Sequence, residues 1–380
     1  MNQDFGRSIV WLRLEFPVPS SQVNNLFRRQ GSVMTTGSDH LIIRRKSGFS
    51  LWLVTALVST GMAQQQETPP GVDYPRDNVA SGYQVDTRWP QEKSEYAWAA
   101  MPGVAIDEKG WIWTLNRGEM PVQVYTPEGK LVRQWGKDAF VSPHQIRFGP
   151  NGHVWIADSH AHAVYKFSRD GTKLLTLGIP GQPGEDNRRL KMPTDMVESP
   201  SGEIFISDGY RNNRVVVCNA RGVFVRIWGE LGTGPGQFSL PHSIDRDSKG
   251  RIYVADRNNS RVQVFSEQGQ FLDQWTNLCQ PWTVRVTSQD EVYICGASPS
   301  QWRKMDVQLG IPPKDQIVMK FDTTGRVLSW WRFAQGPDEP DSGVKPGELS
   351  WVHGLAIDAK GNLYLGDIMG QRAQRFLIHQ

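Results

Sequence analysis

The sequence predicts an all-β chain folded as a six-bladed β-propeller, and three observations carry that expectation. The first is composition: 37 glycines, 24 prolines and 15 tryptophans among 380 residues, with few stretches of helical periodicity, favour short strands joined by tight turns. The second is a repeat. GVAIDEKGWIWTLNR (103–117), HQIRFGPNGHVWIADSH (144–160), TDMVESPSGEIFISDGY (194–210), HSIDRDSKGRIYVADRN (242–258), WTVRVTSQDEVYICGA (282–297) and HGLAIDAKGNLYLGDIM (353–369) are versions of one pattern. The third is spacing. The residues that open the copies are Pro102, His144, Thr194, His242, Trp282 and His353, separated by 42, 50, 48, 40 and 71 positions. Four strands in about 40 to 50 residues make one propeller blade, which must stack on its neighbours to bury both faces.

Each copy reads as an apolar strand, a turn usually carrying glycine, a second strand of alternating character and usually an aspartate. A third strand follows, such as RVQVF (261–265), then a turn such as SEQGQ and a fourth strand ending near Trp135-Gly136 or Trp228-Gly229. The sixth copy runs out after its third strand, QRAQRFLI (371–378). SGYQVDTRW (81–89) is therefore expected to supply the missing fourth strand and close the ring, leaving no free edge. Longer segments at 178–193, 297–316 and 332–350 are rich in glycine, proline or charge and account for the uneven steps, building up one rim. Asp158, Asp208, Asp256 and Asp367 recur at one position of four copies and are read as turn-stabilising.

Ahead of the repeats lies a segment of different character. Arg44, Arg45 and Lys46 precede an apolar stretch from Phe49 to Val58, and Gly61-Met62-Ala63 provides small residues for signal-peptidase cleavage. The stretch is too short to span a bilayer comfortably, so the expectation is export to the periplasm or the extracellular space, with no membrane attachment of the mature form. Met34 is a conventional start for such a signal, and the paired arginines also permit a twin-arginine route. The expected organisation is an extension and signal over 1–63, a polar lead-in over 64–80 and the propeller over 81–380. With 42 basic against 39 acidic residues, a net charge of +3 and no basic run interleaved with aromatics, no nucleic-acid partner is expected; a monomer is expected. Cys218, Cys279 and Cys295 form no CxxC pair; Cys279 and Cys295 could bridge in an oxidising compartment, or remain buried thiols.

His144, His242 and His353 hold one slot in blades two, four and six, where the other blades carry Pro102, Thr194 and Trp282. Any one of them could simply open a strand and bond locally. On alternate blades of a six-fold ring they stand about 120° apart at one height. Three neutral imidazoles with an open fourth position are a known arrangement for catalytic zinc. His160 and His162 lie on the same rim and are read as loop residues or as groups behind the ligands. The turn after the second strand holds Arg117 in blade one, Tyr210 in blade three and Arg257 in blade four. Two cations beside a phenol would favour the phenolate and lower a pKa that starts near about 10, making Tyr210 a candidate general base. The alternative is that these are ordinary turn residues and an exposed aromatic.

HSIDRDSKGRIYVADRNNSRVQVF resembles NHL-type repeats over almost all of 81–380, a resemblance specific for fold rather than function. PHQI, SDGYRNNR, LPHSI with ADR, and VHGLAI further resemble the peptidyl-α-hydroxyglycine α-amidating lyase family. That resemblance implies a zinc held by His144, His242 and His353, Tyr210 as base with Arg117 and Arg257 beside it, and cleavage of a small-molecule or peptide α-hydroxy amide to an amide and glyoxylate. The chain departs from the family where Trp351 replaces a methionine, Gly354 an aspartate and Arg211 a cysteine. The aspartate helps hold a structural calcium together with carbonyls matching Val104 and Ile146, so calcium is left open. Trp351 is expected to narrow the substrate site. The competing readings are a non-catalytic repeat propeller that binds a protein or glycan, and a calcium-dependent lactonase-like hydrolase, for which acidic channel ligands are not evident.

Overall fold

The computed structural model describes residues 82–298, 315–337 and 344–379, together with the backbone of a two-stranded hairpin pairing Met34–Thr36 with His40–Ile42. The chain divides into a unit over Met1–Pro75 and one over Arg76–Gln380. Apart from that hairpin, the signal and lead-in expectations fall outside the described residues, as do 299–314 and 338–343 of the long rim segments.

The second unit is built of six sheets of four antiparallel strands, and in blades one to five these run in sequence order from the inside out. The inner strands are Gly103–Ile106, Pro143–Phe148, Asp195–Glu198, Pro241–Arg246, Gln280–Val286 and Val352–Ile357 for blades one to six. The fourth strand of blade six comes from the other end of the repeat region: Tyr83–Val85 pairs with Arg372–Ile378, Phe376 opposite Val85 and Ile378 opposite Tyr83. Asp86 extends this pairing, its N–H bonded to the Arg375 carbonyl and its carboxylate to the Arg375 guanidinium. An addition not foreseen in the sequence is a two-residue strand, Glu348–Leu349, which pairs in parallel with the outer strand of blade five.

Six apolar clusters fill the six junctions between blades. Trp113 and Leu115 of blade one meet Ile146 and Ile156 of blade two, and the series continues around to Tyr364 and Ala356 of blade six against Val104 and Ile112 of blade one. This explains the burial gradient within a blade. Second strands, covered on both faces, are buried at every position, as in Ile252–Asp256. Outer strands alternate between partly buried and exposed, as in Phe224–Trp228. All three cysteines are buried and free, so the Cys279–Cys295 bridge held open above does not form.

The device that matters for function sits at the start of the inner strands. In blade two Pro143 pairs with Asp158 and Gln145 with Ala157, leaving His144 as the extra residue of a bulge. The same shift leaves out His242 in blade four, Trp282 in blade five and His353 in blade six. A bulge bends the strand and re-aims the extra side chain. The recurrent aspartates hold these bulges in place: Asp158 accepts the N–H groups of Val141 and Ser142, and Asp367 those of Ser350, Trp351 and Gly370.

Candidate metal centre

His144, His242 and His353 are 0%, 0% and 1% exposed, and their ring centroids stand 4.8, 4.7 and 4.9 Å apart. The three rings thus form a nearly equilateral set. Among the described residues they are the group whose ligand atoms, within 4.8 Å of one another, could hold a metal ion.

Each ring is fixed by the blade beyond it. Nδ1 of His144 donates to the Thr194 carbonyl at 2.6 Å, Nδ1 of His242 to that of Trp282 at 2.5 Å, and Nδ1 of His353 to that of Pro102 at 2.7 Å. A carbonyl only accepts, so each Nδ1 carries the hydrogen and each Nε2 keeps its lone pair. Burial drives all three rings towards the neutral form: His144, near Arg117, is lowered to about 3, and His242 and His353 fall well below the ordinary range, repelled further by His144. Three neutral imidazoles with their second nitrogens tied back are the donor set zinc takes, so the residues present fit that ion.

The Tyr210 hydroxyl sits over two of the lone pairs, 2.9 Å from Nε2 of His144 and 3.1 Å from Nε2 of His242. Its approach depends on Gly209. A Cβ there would lie 1.8 Å from the carbonyl oxygen of Pro241, the residue before His242, so only glycine lets the blade-three turn come this close. Arg257, 1% exposed, holds its Cζ 5.7 Å from the Tyr210 ring and 4.7 Å from the Trp282 ring. Arg117 donates from Nε to the Pro143 carbonyl at 3.2 Å, one residue before His144.

The structure therefore brings all six sequence-predicted side chains together, but corrects one piece of reasoning about them. Tyr210 was expected to have a lowered pKa. Burial instead pushes the hydroxyl up, and the opposing pull of Arg257 and Arg117 only offsets part of that rise. Burial also lowers Arg257, to about 10. His160 and His162 stay outside the cluster: His162 accepts the Met192 N–H at 3.1 Å, and His160 contacts Ser159.

Trp282 was not singled out in the sequence, although it occupies the histidine slot of blade five. Its ring meets His242 edge-on at 5.5 Å, carries Arg257 on its face and packs against Trp351 at 5.2 Å. Trp351 accordingly buttresses the wall through Trp282. The position after His353, where the family carries a carboxylate, is tightly packed. A Cβ on Gly354 would lie 3.1 to 3.2 Å from the backbone of Gly103 and Val104, so a side chain there needs blade one to give by a few tenths of an ångström.

A model of the NHL repeat matches residues 140–167 and 238–265. NHL repeat-containing protein 3 of Mus musculus is 34% identical over 314 residues, covering 78% of this chain and 84% of that protein. The chain belongs to the family of NHL-repeat propellers. Another relative of this propeller, peptidyl-alpha-hydroxyglycine alpha-amidating lyase 1 of Drosophila melanogaster, is 34% identical over 265 residues, 66% of this chain and 47% of that protein. Peptidyl-glycine alpha-amidating monooxygenase A of Xenopus laevis is 32% identical over 222 residues, 50% of this chain, and the propeller spans about a quarter (24%) of that protein. A solved streptogramin B lyase shares the fold with a TM-score of 0.53 at 13% identity, over 79% of this chain and 99% of that one.

Proposed function

We propose that this NHL-repeat propeller is an exported zinc-dependent lyase that cleaves the carbinolamide C–N bond of a peptide or small-molecule substrate whose α-hydroxyl stands on the carbon bonded to the amide nitrogen, giving an amide and glyoxylate. The observation that carries the reading is the convergence of three Nε2 lone pairs with the Tyr210 hydroxyl at 2.9 and 3.1 Å. The relatives named as amidating lyases and monooxygenases support the general reaction class.

His144, His242 and His353 would hold the zinc through Nε2. Bound there, it supplies Lewis acidity that makes a substrate hydroxyl and the neighbouring phenol easier to ionise. Tyr210, as the phenolate, takes the proton of the substrate α-hydroxyl at Oη. The O–H electron pair becomes the second bond of the new aldehyde, the C–N pair leaves on nitrogen, and Tyr210 returns the proton to that nitrogen. Arg257 and Arg117 put positive charge beside the reacting oxygen and the glyoxylate carboxylate. Trp282 shuts water out behind His242 and holds the Arg257 guanidinium on its face.

Purified protein incubated with an α-hydroxyglycine-extended peptide is expected to release glyoxylate, with about one zinc per chain. Protein that retains its zinc after His242→Ala would remove this reading. A second reading, a propeller that binds a partner without chemistry, is favoured by the repeat-named relative that spans most of the chain. Zinc-loaded protein that releases no glyoxylate supports it. Export is tested by fractionation, with the product of 34–63 cleavage in the extracytoplasmic fraction.

A further inference from the structure

Beneath the three histidines, the inner strands of four blades turn charged side chains into the channel. Arg147 of blade two grips Asp195 of blade three with two bonds, Nε to Oδ1 at 3.1 Å and Nη2 to Oδ2 at 2.9 Å, and reaches Asp245 of blade four with Nη1 at 2.8 Å. Arg285 of blade five meets the same Asp195 carboxylate at 3.2 Å. Ser243 donates to it at 2.6 Å. All four charged residues are buried, and two guanidiniums against two carboxylates leave the group with no net charge. Bidentate, shared contacts of this kind are what a buried ion cluster needs to offset its desolvation.

The guanidiniums also consume backbone acceptors. The residues two places after each blade's opening position are Val104, Ile146, Met196, Ile244, Val284 and Leu355. Arg147 donates to the Ile244 carbonyl, and Arg285 donates to the carbonyls of Val284 at 2.8 Å and Leu355 at 3.1 Å. A hard cation on the channel axis would need such oxygens and at least one carboxylate of its own. Three of the six carbonyls, those of Ile244, Val284 and Leu355, are taken, both carboxylates are paired with guanidiniums, and those two guanidiniums put positive charge on the channel-facing strands a cation would need.

We infer that the Arg147–Asp195–Arg285–Asp245 cluster is a built-in bolt that does the work of a structural cation, so that the channel of this propeller takes no calcium. The inference does not rest on the lyase reading. The bolt joins blades two to five, and through Arg285 to Leu355 it reaches blade six. It also supports the histidines from below. Arg285 donates to Gln145 at 2.8 Å, Gln145 to Thr283 at 3.1 Å, and Thr283 to the carbonyl of His353 at 2.5 Å.

The test is calcium titration of the purified full chain, read by equilibrium dialysis and by thermal unfolding. No stoichiometric calcium and a midpoint that moves by less than about 1 °C in millimolar calcium are expected, since a ligand present far above its Kd must stabilise the folded state. About one calcium retained per chain, or a calcium-dependent rise, overturns the inference. Arg147→Met and the milder Arg147→Lys then test the bolt itself. The methionine variant should melt several degrees lower or fail to fold, and the lysine variant should recover part of the loss. An unchanged midpoint in Arg147→Met overturns the assigned role, and the wild-type titration decides the calcium question whichever variants fold.

Discussion

His144 and Thr194 occupy one slot on neighbouring blades, and the Nδ1–H of His144 donates to the Thr194 carbonyl across 2.6 Å. The relation recurs from His242 to Trp282 and from His353 to Pro102. Blades two, four and six thus supply imidazoles, and blades three, five and one supply the carbonyls that orient them. The ring centroids stand 4.7 to 4.9 Å apart, so the three second nitrogens face one common point.

Because the rings are held from behind, metal affinity should depend on all three Nε2 atoms. His242→Ala is expected to lower zinc affinity by more than the roughly 10 to 100-fold that disturbing a supporting partner costs. Competition with a chelator measures this, and His153→Ala, in a turn outside the cluster, serves as the control with unchanged affinity.

Tyr210 contacts two Nε2 atoms, yet its deletion should separate chemistry from metal binding. Tyr210→Phe keeps the ring against His144 and His242, at centroid distances of 5.2 and 5.4 Å, and removes only the hydroxyl. Loss of a positioned general base costs about 10² to 10⁴-fold, so kcat should fall within that range while zinc content stays near one per chain. Equal kcat in the two proteins would dismiss Tyr210 as the base.

Much of this arrangement was legible in the sequence, because a propeller repeats one unit. The slot shared by His144, His242 and His353 could be counted out from the copies without any knowledge of contacts. The same count held the signal for Trp282, which stands in the slot of blade five, but an indole there suggests packing until Arg257 is seen on its face. The bulges could not be read, since a residue that breaks strand alternation looks like any other residue before the register is known. Nor could the sign of the Tyr210 shift, which is a contest between burial and two guanidiniums that only their depth decides. The channel bolt escaped for a similar reason: Arg147, Asp195, Asp245 and Arg285 lie 40 to 138 positions apart and look like unrelated strand charges.

Asp367 holds the approach to His353 by accepting three N–H groups, from Ser350, Trp351 and Gly370. Asn in its place keeps one oxygen and turns an NH2 group towards donors. Asp367→Asn should therefore destabilise the fold by about 1 to 3 kcal/mol, the usual cost of a buried polar group left without its partner. It should also weaken zinc binding, because His353 follows two residues after Trp351. Denaturant unfolding and chelator competition on the same variant measure the two effects, and a loss of stability with unchanged zinc affinity would show that the loop and the ligand move independently.

Asp195 sets an acid limit for the propeller. Burial raises its carboxyl, but Arg147 and Arg285 outweigh that and hold it down to about 2. A carboxylate whose folded pKa lies below its unfolded value, about 3.9, contributes stability that is complete above the unfolded value. The contribution is lost as pH falls from there through the folded value. Unfolding midpoints should thus be flat from neutral pH to about 4 with respect to this group and drop between about 4 and 2, and Asp195→Asn should flatten that drop. A variant with the same acid profile as the wild type would assign the limit to other carboxylates.

Gly209 is where fold and proposed chemistry meet most tightly. The carbonyl oxygen of Pro241 lies where a Cβ on residue 209 would be, at 1.8 Å, and Pro241 and Tyr210 are the immediate neighbours of His242 and Gly209. Gly209→Ala must push the blade-three turn away from blade four, and the first group carried with it is the Tyr210 hydroxyl, now 3.1 Å from Nε2 of His242. Overpacking of this kind costs about 1 to 3 kcal/mol of stability. A misplacement of about 1 Å can cost on the order of 10²-fold in rate. The variant should melt lower and lose kcat with its zinc retained, since no imidazole or supporting carbonyl is altered. Retained kcat in a destabilised Gly209→Ala protein would mean that the turn relaxes away from Tyr210, and the close approach would then serve packing alone.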